Sequence, residues 1–396
     1  MPPPETIVIG AGIYGVTAAL ELRRRGHQVR LLDPGPLPHP LAASTDISKA
    51  IRLDYGPDLD YLLAMETALE GWRAWNRVWP APLFHEVGVL FVTPTPMAPG
   101  GFEYESHRQL AKRGHAPQRL EAAAIRRRFP AWAQGGFVDG YFNPAGGFAE
   151  SGRVVSQLLA EAQAAGVGLH AGQTFAHFLE DGSRVAGVVT REGQRFAAST
   201  VVMAAGSWTP HLLPWTAGYF RSNGMPVFHL RPAQPSLFAA ERFPVFCADI
   251  TNTGYYGFPL HPREGVVKIA NHGDGRALAP EAPERVVTAS ETQRLRQWLA
   301  EKLPPLAEAP IVYTRVCLYC DTWDGHFWIA RDPERQGLVM ATGGSGHGFK
   351  FAPLLGAWIA DAVEGRPNPV LEKFRWRPEA RPPRSEEAAR FQVSLA

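Results

Sequence analysis

The stretch TIVIGAGIYG (6–15) constrains this chain more than any other: an apolar run, then glycines at 10, 12 and 15, then a helical pattern that closes at Gly26. A short apolar run without alternation is the mark of a strand buried on both faces of a parallel sheet. A second strand, QVRLLD (28–33), follows and ends in Asp33. Strand, helix and strand in about 28 residues predict a βαβ unit, and so an α/β fold with a Rossmann-type domain. Each glycine of the G-x-G-x-x-G spacing has a separate task. Gly10 permits the tight turn, Gly12 lets the backbone approach a pyrophosphate, and Gly15 lets helix and strand pack closely. Ile13 and Tyr14 lie in the same turn, where the helix N-terminus offers unpaired N–H groups to an anion. Asp33, 23 residues after Gly10, is placed to accept from ribose hydroxyls. The pattern predicts a dinucleotide and leaves FAD and NAD both open.

A chain of 396 residues exceeds what one core usually supports, so two domains are expected. No apolar run approaches the roughly 20 residues that cross a bilayer, and no membrane partner is expected. The 40 basic and 38 acidic side chains are dispersed, which predicts no nucleic-acid partner. The runs RRRG (23–26) and IRRRFP (125–130) fit helix C-termini, where cations suit the dipole. Three cysteines, Cys247, Cys317 and Cys320, are too few for a disulfide framework. With a first strand starting so near Met1, a signal peptide is not expected and a cytoplasmic location is; a monomer is the expected state.

Downstream, an amphipathic helix is predicted from about Pro57 to Pro80, with Trp72, Trp75 and Trp79 as a packing stripe. Residues 81–150 are rich in Gly, Pro and aromatics and read as short strands and turns. Helical periodicity returns over 151–166, followed by a strand, a hairpin turning at Arg191–Gly193 and the buried strand TVVMAAG (200–206). Residues 221–316 are mostly strand-like, with a helix over 285–303. GLVMATGG (337–344) is another buried strand and leads to a helix over about 353–364. The predicted domains are therefore discontinuous. Residues 1–80, 151–220 and 317–396 form the dinucleotide-binding domain, and 81–150 with 221–316 form a mostly antiparallel substrate domain.

Two segments carry further chemistry. RVCLYCDTWDGHFWIA (315–330) sets Cys317 and Cys320 three apart. A zinc knuckle would need a second pair, and a dithiol redox motif would need a helix N-terminus. A core thiol and a cofactor attachment point both remain open, and no metal is expected. GGSGHGFKF (343–351) joins a strand to a helix, so Gly344, Gly346, His347, Gly348, Phe349 and Lys350 can turn backbone N–H groups toward a second partial negative charge. A glycine turn with a core histidine is the alternative.

The opening fingerprint, ISKAIRLDYG (47–56), YYGFP (255–259), VVKIANH (266–272), VCLYCDTWDGHFWIA and GSGHGFKF together resemble the flavin-dependent amine oxidases around monomeric sarcosine oxidase. That family includes the N-methyltryptophan, pipecolate and fructosyl-amino-acid oxidases. The resemblance runs in order from residue 6 to about 375. It implies FAD, attached through a thioether from Cys317 to the flavin 8α carbon, with Ser48 and Lys49 beside the ring. It implies Arg52 and Lys350 as the pair that holds a substrate carboxylate, and Lys268 as the cation near which O2 is reduced. His272, Tyr256 and Tyr319 would line the cavity and orient the amine. The implied reaction oxidises the C–N bond of a secondary-amine α-amino acid to an imine, with O2 reduced to H2O2. His272, Arg52 and YYGFP lean to the sarcosine oxidase branch, whereas DISK (46–49), CDTWD and FRWRPEA (374–380) lean to the fructosyl-amine branch. A fructosyl-amino-acid oxidase is thus the second reading. A flavin dehydrogenase and a non-catalytic flavin protein are the further alternatives.

Overall fold

The computed structural model describes residues 4–273 and 275–378. The end of the predicted first domain, 379–396, and the last two residues of FRWRPEA lie outside them. The described chain divides into two compact units, one of 4–46, 150–223 and 318–378, the other of 47–149 and 224–317.

The first unit is built on a six-stranded sheet in the order Trp328–Arg331, Leu338–Thr342, Thr200–Met203, Glu5–Ile9, Gln28–Asp33, Gly168–Ala171. Five neighbouring strands are parallel, with Val8 opposite both Val202 and Leu31, and only Trp328–Arg331 runs antiparallel. The apolar run at 7–9 is fully buried because both faces of the sheet are covered. Ile7 and Ile9 join a cluster with Phe175, Val185 and Val188 of a three-stranded antiparallel sheet, Phe175–Asp181, Arg184–Thr190 and Arg195–Ala197. The helix Ile13–Arg24 packs against both Ser151–Ala164 and Ala352–Glu364. A Cβ on Gly356 would lie 2.5 Å from Thr17 O, which shows how closely the last helix crosses the first.

The second unit has a large, mostly antiparallel sheet. The hairpin Tyr255–Leu260/Val267–Asn271 lies inside it, and Val245–Ala248 runs parallel to Val89–Thr93. Leu295, Trp298 and Leu299 of the helix Ala289–Lys302 seal its core against Phe246 and Ile269. That helix begins with a full capping box between Thr288 and Glu291. A smaller three-stranded sheet pairs Lys49–Ile51 and Phe84–His85 with Gly147–Ala149, setting Lys49 opposite Ala149.

Three expectations change. Residues 47–80, assigned above to the first domain, fall in the second unit. Their strand pairs with Gly147–Ala149, and Asn76 of the helix Leu59–Val78 donates to Phe84 O at 2.6 Å. The stretch 81–150, read as short strands and turns with a helix end at the IRRRFP run, contains the helix Phe102–Lys112 besides the helix Ala122–Arg128, whose last turn carries that run. In the first, Phe102, Ser106 and Leu110 form a buried i, i+4, i+8 stripe, and Glu103 is buried beside it. The third change concerns the tryptophans. Trp72 and Trp79 are buried, but Trp75 is half-buried and packs between them at ring distances of 5.1 and 4.9 Å.

The segment after Cys320 is tied by Arg377, which forks onto Asp324 at 2.6 and 2.9 Å and also donates to the His326 and Phe327 carbonyls. Burial alone would raise the Asp324 carboxyl, but the guanidinium holds it below the usual value. A depressed folded-state pKa contributes stability that is complete above the unfolded value of about 3.9 and is lost as pH falls through the folded one. Arg377→Met is therefore expected to cost about 1 kcal/mol near neutrality, discounted for partial exposure. Acid unfolding curves should show the variant and the parent converging at low pH.

Candidate active site

In the first unit the glycine turn is set by backbone approach. Gly10 has φ +98° and donates to Leu32 O at 2.8 Å, and a Cβ there would meet Ala204 O at 2.6 Å. A Cβ on Gly15 would lie 1.8 Å from Gly10 O. Gly12 differs, because its added Cβ would meet only Ser44 Oγ, at 3.4 Å. The fold itself does not require glycine there. Ser44, which sequence reasoning missed, accepts from Ile13 N at 3.0 Å from 31 positions away. Asp33 accepts from Ala11 N at 2.8 Å and from Gly35 N at 3.1 Å. Burial raises its carboxyl pKa, opposed by those two N–H groups. Each oxygen keeps a lone pair for a further donor.

The turn after Leu338–Thr342 is held from both sides. Ser345, at φ +43°, donates its N–H to Cys320 O at 3.0 Å, and its hydroxyl receives Thr322 N at 3.2 Å. His347 N and Gly348 N both turn to Gly344 O, and His347 Nε2 lies 2.9 Å from Gly325 O. A Cβ on Gly348 would lie 2.6 Å from Tyr14 Oη, and one on Gly344 3.4 Å from it. Tyr14 thus bridges the two glycine turns, with its buried hydroxyl unpartnered among the described residues. Burial first, then Cys320, keeps that hydroxyl protonated well above its usual pKa. In the same unit Lys350 and Tyr319 are buried, Phe349 is half-buried and Gly346 is exposed.

In the second unit, Lys49 Nζ stands 3.5 Å from Cys317 Sγ. Cys317 and Cys320 share one strand, Ile311–Thr322, where residues three apart point to opposite faces. They therefore cannot act as a pair on one ion. Their surroundings differ too: burial pushes the Cys320 thiol up to about 12, whereas the Cys317 sulfur faces an ammonium. Lys268, 1 % exposed, donates to Ser48 O at 2.5 Å and lies 4.7 Å over the Phe258 ring. Ser48 is fully buried, and its Oγ has no partner among the described residues. Arg52 is buried, spread over the Tyr55 and Phe102 rings, and donates to the Asp54 carbonyl. Asp54 in turn accepts from Tyr141 Oη at 2.7 Å. His272 N donates to Gly254 O at 2.6 Å, and the Tyr256 ring stands edge-on to the His272 ring at 6.2 Å. The second unit thus gathers Ser48, Lys49, Lys268 and Cys317 through direct contacts and pairs Tyr256 with His272. Arg52 belongs to this unit and Lys350 to the first.

The model of the family described as FAD dependent oxidoreductase matches residues 5–362. The chain belongs to that family. As an FAD-dependent oxidoreductase it is similar to the L-saccharopine oxidase of Schizosaccharomyces pombe, 25% identical over 94% of this chain and 92% of that protein. It is also similar to the N-methyl-L-tryptophan oxidase of Salmonella arizonae, 28% identical over 94% and 98%. Among solved structures, the deglycating enzyme fructosamine oxidase (Amadoriase II) of Aspergillus fumigatus superposes with a TM-score of 0.84 at 25% identity, covering 99% of this chain and 94% of that one. In the first unit the residues present fit FAD: Gly12 leaves open a place that a Cβ would fill, and Tyr14 Oη is a buried polar atom with no partner among the described residues. No helix among the described residues is long and apolar enough to cross a membrane.

Proposed function

We propose that this oxidoreductase is an amine oxidase acting on secondary-amine α-amino acids. FAD, when bound, would supply the two-electron chemistry by which a C–H next to the amine nitrogen is oxidised to give an imine, with O2 reduced to H2O2. The glycine turn at 10–15 and Asp33 would hold the adenosine diphosphate part. The 344–350 turn, Tyr14, Ser48 and Lys49 would hold the ring and its ribityl chain. Arg52 and Lys350 would take the substrate carboxylate, a planar fork and a point charge in complementary roles. Tyr256, His272 and Tyr319 would orient the amine and keep water out. Lys268 would supply the fixed positive charge toward which O2 is reduced. The buried Lys268 held on the Ser48 carbonyl is the observation that carries the oxidase reading. The Amadoriase II likeness supports a fructosyl-amino-acid substrate as the second reading.

Anaerobic titration with sarcosine, N-methyl-tryptophan, pipecolate, saccharopine and fructosyl-valine tests both. Bleaching of the flavin band by an N-alkyl or cyclic amino acid, with one H2O2 per turnover in air, is the expected result. Bleaching by fructosyl-valine alone selects the second reading, and bleaching without peroxide makes the chain a dehydrogenase.

The contact of Lys49 with Cys317 supports a cysteinyl flavin, since it sets this sulfur against a residue proposed to lie beside the ring. After acid precipitation the yellow colour is expected in the protein pellet, and Cys317→Ser should move it to the supernatant. Three buried cysteines, too few for a disulfide framework, support a reducing, cytoplasmic setting. A monomer is proposed with it and is checked by sedimentation.

A further inference from the structure

The hairpin that carries Lys268 grips residues 47–48 at two points, and only one of them is Lys268. His261 opens the hairpin turn: its N–H donates to Val266 O at 2.8 Å, and its carbonyl accepts from Gly265 N at 3.0 Å. Its ring Nδ1 accepts from Arg263 N at 3.3 Å and Glu264 N at 3.2 Å. An imidazole nitrogen that accepts carries no proton, so the hydrogen is on Nε2. Nε2 stands 3.1 Å from Ile47 O, and that contact is therefore a donated hydrogen bond. The next carbonyl along, that of Ser48, receives the Lys268 ammonium. The residue after it is Lys49, beside Cys317.

We infer that His261 is a positioning residue for the Ser48–Lys49 segment: through the Ile47 carbonyl it fixes the backbone against which Lys268 is aimed. Lys268 is a long side chain with a rotatable ammonium, and the Ser48 carbonyl is a group that helps direct it. That carbonyl stays in place because its neighbour is held from the same hairpin. The inference rests on the reading of Lys268 as the oxygen-side cation.

Two variants separate the contacts of the ring. In His261→Asn the short side-chain oxygen can still accept the turn N–H groups, as asparagine does in turns, but the reach to Ile47 is gone. In His261→Gln the longer amide keeps a donor for Ile47. The apoprotein gives a readout free of flavin: amide exchange of peptides covering 46–51 is expected to speed up about tenfold in His261→Asn and to return toward the parent in His261→Gln. In the loaded enzyme, stopped-flow reduction by substrate should be unchanged in His261→Asn. Reoxidation by O2 should slow by about tenfold and recover in His261→Gln. Lys268→Met is the control. If it slows reoxidation while His261→Asn stays within about twofold of the parent in both assays, the inference is wrong and the Lys268 reading stands. If Lys268→Met reoxidises normally, the Lys268 reading itself is wrong, and faster exchange in His261→Asn would then mark His261 as a tether of the segment alone.

Discussion

Replacing Gly12 by alanine is expected to leave a folded protein that has lost most of its grip on FAD, whereas the same change at Gly15 should leave no folded protein to assay. The difference lies in what each new methyl group meets. At Gly15 it meets the Gly10 carbonyl oxygen at 1.8 Å, a backbone atom that cannot step aside. Such a clash falls in the class that costs about 4 kcal/mol or more. At Gly12 the methyl group finds only Ser44 Oγ at 3.4 Å, so the apoprotein should melt close to the parent. The cost arises when a pyrophosphate comes against the turn, where overpacking of about 1–3 kcal/mol corresponds to roughly 5- to 150-fold weaker binding. Measured in the Cys317→Ser background so that attachment does not mask affinity, the FAD titration and the apoprotein melt give the two quantities separately. A Gly12→Ala protein that binds FAD as tightly as its parent would remove the pyrophosphate from this turn.

Lys268→Met carries the second large effect. The methionine matches the lysine stem and can keep its packing on Phe258, while the charge and the donor to Ser48 O are lost. If the ammonium lowers the barrier to the first electron transfer by stabilising the anion that forms from O2, reoxidation of the reduced enzyme should fall by about 10²–10³-fold. Anaerobic reduction by substrate should change little. Rapid mixing of reduced enzyme with oxygenated buffer reads the first rate, and anaerobic mixing with substrate reads the second. Equal losses in both would point to general disruption of the site, and no loss in the first would end the oxidase role of Lys268.

The elements governed by local rules were legible. The strand at 6–9 is continuously apolar and buried on both faces, and the helix after it ends at its basic turn as expected. The helix at 289–302 announces itself through Thr288 and Glu291. The helix Phe102–Lys112 was hidden because glutamates, histidine and arginine dilute its stripe and glycines precede it, although the buried positions Phe102, Ser106 and Leu110 repeat with helical spacing. The domain boundary was misplaced because the helix Leu59–Val78 has a clear local signal that says nothing about which sheet it will cover. Ser44 escaped notice because a single serine in a loop carries no pattern, and only the folded chain brings its hydroxyl to Ile13 N.

The sequence alone determined where backbone geometry is forced: a tight turn needs Gly10, a close helix–strand approach needs Gly15, and a nonpolar run after Met1 can only be covered on both sides. These are short-range steric and solvation rules, and a few neighbouring residues are enough to express them. The tertiary structure decided which distant groups meet. Lys49 reaches Cys317 across 268 positions, and Lys268 reaches Ser48 across 220. Such meetings depend on strand register and sheet order, which are set by the sum of many weak contacts along whole elements and leave no mark on the residues that finally touch.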